Sequence, residues 1–389
     1  MVFDEIIERK GTNSMKYDAL SEKFGRDDLN PLWVADMDFA ICPEISKAIK
    51  ARVNHPIFGY EFVPDSYWES ILNWCKRRHG LKIDRKEICF IPGIVRGIAY
   101  IVNFFTNKGD KILIQPPVYH PFANVTKGNG RIVVDNPLTY KDGKISMDFE
   151  DLEYKIKSEK PKLMILCNPH NPGGRVWSKD DLEKVADICY NNGVIVISDE
   201  IHADIELFGN KYTPFLSIGG NAEKCGISLG APSKTFNIPG LVSSWCVIKN
   251  PEIRKDFFEW MEVNEFSEPT LPAVDATQAA YDEGEYWLND LLNYLEQNIY
   301  FVEEYLATNI PQIKPIRPEA SFLIWLDCHG LGLSTKELND LFVNKAKLAL
   351  NNGEMFGKEG SGFMRLNIAC PKANLKKALD ALKQAIENR

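Results

Sequence analysis

Four short stretches of this sequence hold residues whose types and spacing could do chemistry. Pro92-Gly-Ile-Val-Arg-Gly97 follows an apolar run and reads as a loop opening a helix, whose unpaired N–H groups suit a phosphate. Asn168-Pro-His-Asn-Pro-Gly-Gly174 sets two Asn-Pro steps and two glycines behind another apolar run, which confines the backbone and fixes where two amide side chains point. Asp199 begins Asp199-Glu-Ile-His-Ala-Asp204 at the end of a third run, where a carboxylate is costly unless a cation answers it. Lys234 lies among small and apolar residues in Gly230-Ala-Pro-Ser-Lys-Thr-Phe-Asn-Ile-Pro-Gly240. Desolvation there would lower the pKa of its amine and make it nucleophilic. Taken singly, each stretch has a plainer explanation: an ordinary helix start, a surface turn, a helix N-cap, a solvated lysine.

Together they supply a phosphate cradle, an amide-bearing turn, a carboxylate and a desolvated lysine, in that order along the chain. Pyridoxal 5′-phosphate (PLP) requires those four things. The lysine forms the Schiff base, and the carboxylate keeps the pyridine nitrogen protonated so that the ring draws electrons. An amide donates to the phenolic oxygen, and a helix start takes the phosphate.

These loops must be positioned by the elements before them. Strands are expected at Ile88–Ile91, Lys111–Gln115, Arg131–Val134, Lys162–Cys167, Val194–Ser198, Gly226–Leu229 and Ser244–Ile248, several of them apolar throughout, as in strands covered on both faces. Helical patterns lie between them. One runs from Ser178, a candidate N-cap with Asp181 three positions later, through Leu182, Val185 and Ala186 to Cys189. The alternation predicts an α/β fold: a large domain with a mostly parallel sheet sandwiched by helices, its ligand at the carboxyl ends of the strands. In the last hundred residues a long helix near Glu285–Thr308 leads to a proline-rich break, Pro311–Pro318. Strands at Ser321–Leu326 and Gly362–Ile368 and helices at Lys336–Lys345 and Asn374–Glu387 follow. They predict a smaller α+β domain built from residues 1–40 and 286–389, with 41–285 forming the large domain.

The 389 residues carry 46 Lys and Arg against 54 Asp and Glu, a net charge of −8, with 44% hydrophobic residues. This is a globular composition, and it excludes collagen-like, disordered and coiled-coil chains. An acidic chain without basic runs is a poor nucleic-acid binder. No apolar window reaches eighteen residues, and the charged N-terminus lacks a signal core, so neither a membrane span nor export is expected. The nine cysteines are scattered without a C-x-x-C pair, which argues against a disulfide framework or a metal site and for a reducing, cytoplasmic setting.

The sequence resembles the fold-type I PLP enzymes of the class I/II aminotransferase family and, within it, the MalY/PatB-type C–S lyases (cystathionine β-lyases). The resemblance spans nearly the whole chain. It rests on Gly11-Thr-Asn-Ser-Met-Lys-Tyr17, Asp36-Met-Asp-Phe39, Phe58-Gly-Tyr60, Ser198-Asp-Glu-Ile-His202, Ser233-Lys-Thr-Phe-Asn-Ile-Pro239, Phe363-Met-Arg-Leu-Asn367 and Cys370-Pro371. Asp36–Phe39 and Ser198–His202 favour the lyase branch.

The resemblance implies that Lys234 carries the cofactor and later moves the substrate's α-proton. Asp199 would pair with the ring nitrogen and Asn171 with the phenolic oxygen, with His202 near that oxygen and Tyr119 stacked on the ring. Ala231 and Val242 stand where the wider family places a serine and an arginine on the phosphate. The phosphate would then fall to the Val95 and Arg96 amides, the Ser233 hydroxyl and Tyr60, with the Arg96 side chain folding back onto it. Arg365 would clamp the substrate's α-carboxylate, with Asn171 and Tyr60 beside it. Tyr60 would be lent by the neighbouring subunit of a homodimer, and Tyr60 or Tyr119 could assist the leaving group. The implied reaction is α,β-elimination of cystathionine- or cysteine-type amino acids to a thiol, pyruvate and ammonia. The same residues would serve an aminotransferase, or a regulatory protein that retains PLP.

Overall fold

The structure, a computed structural model, describes residues 2–141 and 143–389; Met1 and Asp142 lie outside it. Its large sheet is built from β1 (Ile88–Ile91), β2 (Lys111–Ile114), β3 (Ile132–Asp135), β4 (Leu163–Cys167), β5 (Ile195–Asp199), β6 (Gly226–Gly230) and β7 (Ser244–Val247). The spatial order is β1-β7-β6-β5-β4-β2-β3. Only β7 runs antiparallel to its neighbours, β1 and β6; the other pairings are parallel. Every residue of β1, β4 and β6 is buried. The two-residue period divides β4 between two cores: Met164 and Leu166 join one, Leu163, Ile165 and Cys167 the other.

Helices cover both faces. α1 (Ile94–Phe105) sends Ile94, Ile98, Ile101 and Val102 into one core. α2 (Lys179–Asn191) sends Leu182, Val185, Ala186 and Cys189 into the other. Its start is the expected one: the Ser178 hydroxyl accepts from the Asp181 amide, and the Asp181 carboxylate accepts from the Ser178 amide.

A second, antiparallel sheet has the order β8-β9-β11-β10, formed by β8 (Lys314–Ile316), β9 (Leu323–Asp327), β10 (Asn351–Asn352) and β11 (Phe363–Asn367). The long helix α3 (Glu285–Asn309) and the last helix α4 (Lys372–Glu387) pack against it through Leu291, Leu295, Leu375 and Leu379. The proline-rich break is therefore partly a strand. Pro315 is tolerated because β8 is an edge, where a missing N–H costs no ladder bond. The expected helix at Lys336–Lys345 is instead one α turn, Thr335–Asn339, followed by a wider π turn, Asp340–Lys345. Asn30–Pro31 pairs in parallel with Leu348–Ala349, tying the N-terminal segment to the C-terminal one.

Candidate active site

Strands β1, β2, β4, β5 and β6 all end at one edge of the large sheet, and their following loops surround a cavity of about 140 Å³. That is roughly ten times the space one water needs. Val95, Tyr119, Asn171, Asp199, His202, Ser233 and Lys234 line it, together with Ala35.

The helix start is set by a close approach. A Cβ on Gly97 would come within 2.4 Å of the Ile91 side chain, so α1 lies tight on β1. Gly93 turns the chain at φ +108, and the first N–H groups of α1 have no carbonyl one turn before them. Of these residues Ile94 and Val95 line the cavity. The Arg96 side chain is exposed and reaches back to the Pro92 carbonyl at 3.4 Å, over the helix start but outside the cavity.

In the Asn-Pro turn the two amides have different work. Asn168 donates to the Thr213 carbonyl at 3.0 Å and is structural. Asn171 accepts from the Arg365 guanidinium at 3.1 Å, leaving its NH2 group for the cavity. His170 braces the turn: its Nε2 lies 2.9 Å from the Pro117 carbonyl, and its Nδ1 accepts from the Gly173 amide. Burial lowers its pKa to about 4, so it is neutral.

The charged groups are under-partnered. Asp199 accepts from the Ile201 amide at 3.2 Å, and burial raises its pKa to about 7. No helix follows it, so it is not an N-cap. Lys234, in the short helix Pro232–Thr235, donates to the Ala35 carbonyl at 2.5 Å. Burial lowers its pKa to about 8, against the pull of Asp36 and Asp199. His202 is buried with Nδ1 unbonded; burial, then Lys234 and Arg365, lower its pKa to about 3. Burial likewise raises the Tyr119 phenol, which stays protonated.

Arg365 projects from β11 and joins the two sheets at this point. It donates to Asn171, to the Asn351 side chain at 2.6 Å and to the Trp33 carbonyl at 2.8 Å, and it stacks on Phe356. Among the described residues no carboxylate pairs with it, its Nε is unbonded, and burial lowers its pKa to about 10. A buried cation without an anion is a site prepared for one.

Tyr60 stands apart. It is fully exposed, with Ile57, Phe58 and Phe62 exposed beside it, and takes no part in its own chain's cavity. Sequence reasoning missed the Ala35 carbonyl and the Asn351 amide. Asn351 carried no local signal, since only pairing β10 with β11 sets it opposite Arg365.

The under-partnered set fits PLP. Asp199 awaits an N–H, Asn171 and His202 offer hydrogen bonds, a helix start is free, and an amine stands between them.

Comparison with known proteins agrees. The family model "Aminotransferase class I and II" matches residues 30–382. The cystathionine beta-lyase PatB of Bacillus subtilis is 43% identical over 386 residues, 99% of this chain and 100% of that protein. A PLP-bound structure from Clostridium difficile 630, described provisionally as an aminotransferase, superimposes with a TM-score of 0.96 at 45% identity, covering 99% of each chain. The PLP-bound C–S lyase of Staphylococcus hominis superimposes with a TM-score of 0.91 at 35% identity, covering 99% of this chain and 97% of that one.

Proposed function

Because the chain belongs to the class I and II aminotransferase family, we propose that this site binds PLP and cleaves the Cβ–S bond of cystathionine- or cysteine-type amino acids. The products are a thiol, pyruvate and ammonia. The observation that carries this reading is the pairing of a buried arginine that has no anion among the described residues with a half-buried lysine whose pKa is lowered to about 8. The lyase relatives, PatB foremost, support elimination.

Asp199 would hold the ring nitrogen, Asn171 and His202 the phenolic oxygen, and Tyr119 the ring face. The Val95 and Arg96 amides, the Ser233 hydroxyl and the partner copy's tyrosine at position 60 would hold the phosphate. Bound there, PLP supplies an electron sink conjugated to the substrate's Cα.

The chain's own residues do the rest. Arg365 takes the α-carboxylate through its fork of donors, oriented by Asn171 and Asn351. Lys234 Nζ, about half neutral near pH 8, takes the proton from Cα. A thiolate is a good leaving group, so the Tyr119 hydroxyl need give it little help. The apolar walls of the cavity, Ile94, Tyr119 and Ile201 among them, would limit the water around the substrate's Cα.

We take residues 41–285 as the cofactor domain, with 1–40 and 286–389 as the domain carrying Arg365. Two copies would share their sites, covering Ile57, Phe58 and Phe62. The nine buried cysteines, all free thiols, suit work in the cytoplasm.

The test is direct. The purified protein should show a visible absorption band and release pyruvate from L-cystathionine, and Lys234→Ala should lose both. Undiminished turnover in that variant would overturn the reading. The resemblance to the Clostridium protein keeps transamination as a second reading. It is distinguished by whether the amino group leaves as ammonia or remains on the cofactor.

A further inference from the structure

The cavity-lining carbonyl of Ala35 belongs to a segment, Val34–Phe39, held from three directions. Asn367, on the strand of Arg365, donates to the Val34 carbonyl at 2.6 Å and the Asp36 carbonyl at 2.7 Å. Asn237, three residues after Lys234 and left-handed at φ +57, accepts from the Met37 amide at 2.9 Å and donates to the Met37 and Phe39 carbonyls. On the outer side, Arg9 grips both Asp36 oxygens at 3.1 and 2.7 Å and Asp38 at 2.6 Å. Lys16, with no accessible side-chain surface, lies 3.0 Å from Asp38 and 3.5 Å from Asp36. Two cations and two carboxylates are thus assembled next to the site.

Stability alone is a weak reason for such a cluster, because desolvation consumes most of what the ion pairs return. Its position offers a better one. The segment it fixes presents the Ala35 carbonyl to Lys234 Nζ at 2.5 Å.

We infer that Asp36, held by Arg9 and Lys16, is a positioning residue: it fixes the Ala35 carbonyl as the acceptor for the Lys234 amine whenever that amine is free, and places a negative charge beside it. The inference rests on the reading of Lys234 as the residue that moves the α-proton. Burial alone would raise Asp36's pKa, but Arg9 and Lys16 outweigh it and hold the carboxyl ionised. The charges acting on the amine are Asp36, Arg365 and Asp199, in that order, and His202 beside them is neutral. Asp36 therefore keeps the amine more basic than its burial would, and Arg9 sustains that effect by holding the carboxylate ionised.

The experiment uses holoenzyme of wild type, Asp36→Asn, Arg9→Gln and Arg9→Lys. It measures the pH dependence of kcat for L-cystathionine and the pH titration of the visible band, with melting curves as a control for folding. A base that must be neutral gives kcat an acid limb. Asp36→Asn should move that limb, and the band's titration, downward by roughly one unit. Arg9→Gln, which releases Asp36 and favours its protonated form, should move both downward by a smaller amount, and Arg9→Lys should restore them. A merely structural cluster lowers the melting temperature without moving the limb. Unmoved limbs, or upward shifts, overturn the inference. If Asp36→Asn does not fold, Arg9→Gln decides alone, since its side chain is 21% exposed and its loss is better tolerated: a downward shift supports the inference, and any other result overturns it. A visible band that persists in Lys234→Ala would instead remove the reading beneath it.

Discussion

The Arg365 guanidinium donates to the Asn171 side-chain oxygen across 3.1 Å, joining a strand of the small sheet to a loop of the large one inside the site. This bond orients both residues: it spends the Asn171 oxygen and leaves its NH2 for the cavity that Asn171 lines, and it holds the arginine directly behind that wall.

Arg365→Lys should therefore weaken substrate binding without displacing the cofactor. Lysine keeps the charge but is a point donor on a flexible stem, unable to hold Asn171, Asn351 and a carboxylate together. Losing one or two charge-assisted hydrogen bonds, about 3 kcal/mol, corresponds to roughly a 100-fold fall in kcat/KM. Steady-state kinetics should show it chiefly in KM, with the visible band intact. A loss of the band would mean that the arginine supports the cofactor rather than the substrate.

Asp199→Asn tests the carboxylate end. With no bound cation, burial leaves Asp199 titrating near pH 7. A ring N–H⁺ would hold the carboxylate ionised, whereas asparagine matches the shape but cannot answer the charge. The variant should still bind PLP, more weakly, and lose on the order of 10²–10⁴-fold in kcat. Cofactor titration and turnover measured on one preparation check both halves.

What the sequence made legible was whatever is local. The strands ending at Ile91, Cys167, Asp199 and Gly230 are short apolar runs, and the residues just after them lie at the cavity because a parallel sheet must present its carboxyl ends together. What it hid depends on partners distant in the chain. Asn168 and Asn171 look equivalent in their turn, yet one is spent on the Thr213 carbonyl and the other meets Arg365, 194 positions away. Asn30–Pro31 becomes a strand only through Leu348–Ala349. The Ala35 carbonyl has no side chain to betray it. Arg9 and Lys16 look like ordinary surface charges until the fold closes them over Asp36 and Asp38.

Tyr60 gives a test of the shared site. In its own chain it is fully exposed and lines no part of the cavity, so the proposed role would be played in a neighbouring copy's site. Tyr60→Ala and Lys234→Ala should each be inactive alone. Unfolded together and refolded as a mixture, they should recover about one quarter of wild-type activity, because half the dimers form one intact site out of two. If the mixture stays inactive while size-exclusion chromatography shows dimers, Tyr60 does not serve the partner's site.

Acid should loosen the fold through the histidine that braces the Asn-Pro turn. His170 titrates at about 4 in the folded chain against an ordinary 6.5, because burial disfavours its charged form. Above pH 6.5 neither the folded nor the unfolded chain carries that proton, and the histidine contributes no pH dependence. Between 6.5 and about 4 the unfolded chain binds a proton that the folded chain refuses, so stability falls as the pH falls. The cost is about 1.4 kcal/mol per unit, or roughly 2 kcal/mol at pH 5. His202, lowered to about 3 in the same way, adds to it. Melting temperatures between pH 7 and 5 should drop accordingly. His170→Gln gives up the contacts to Pro117 and Gly173, so it should melt lower at pH 7 yet lose less on acidification. An equal acid slope in the two proteins would show that this histidine is not the group responsible.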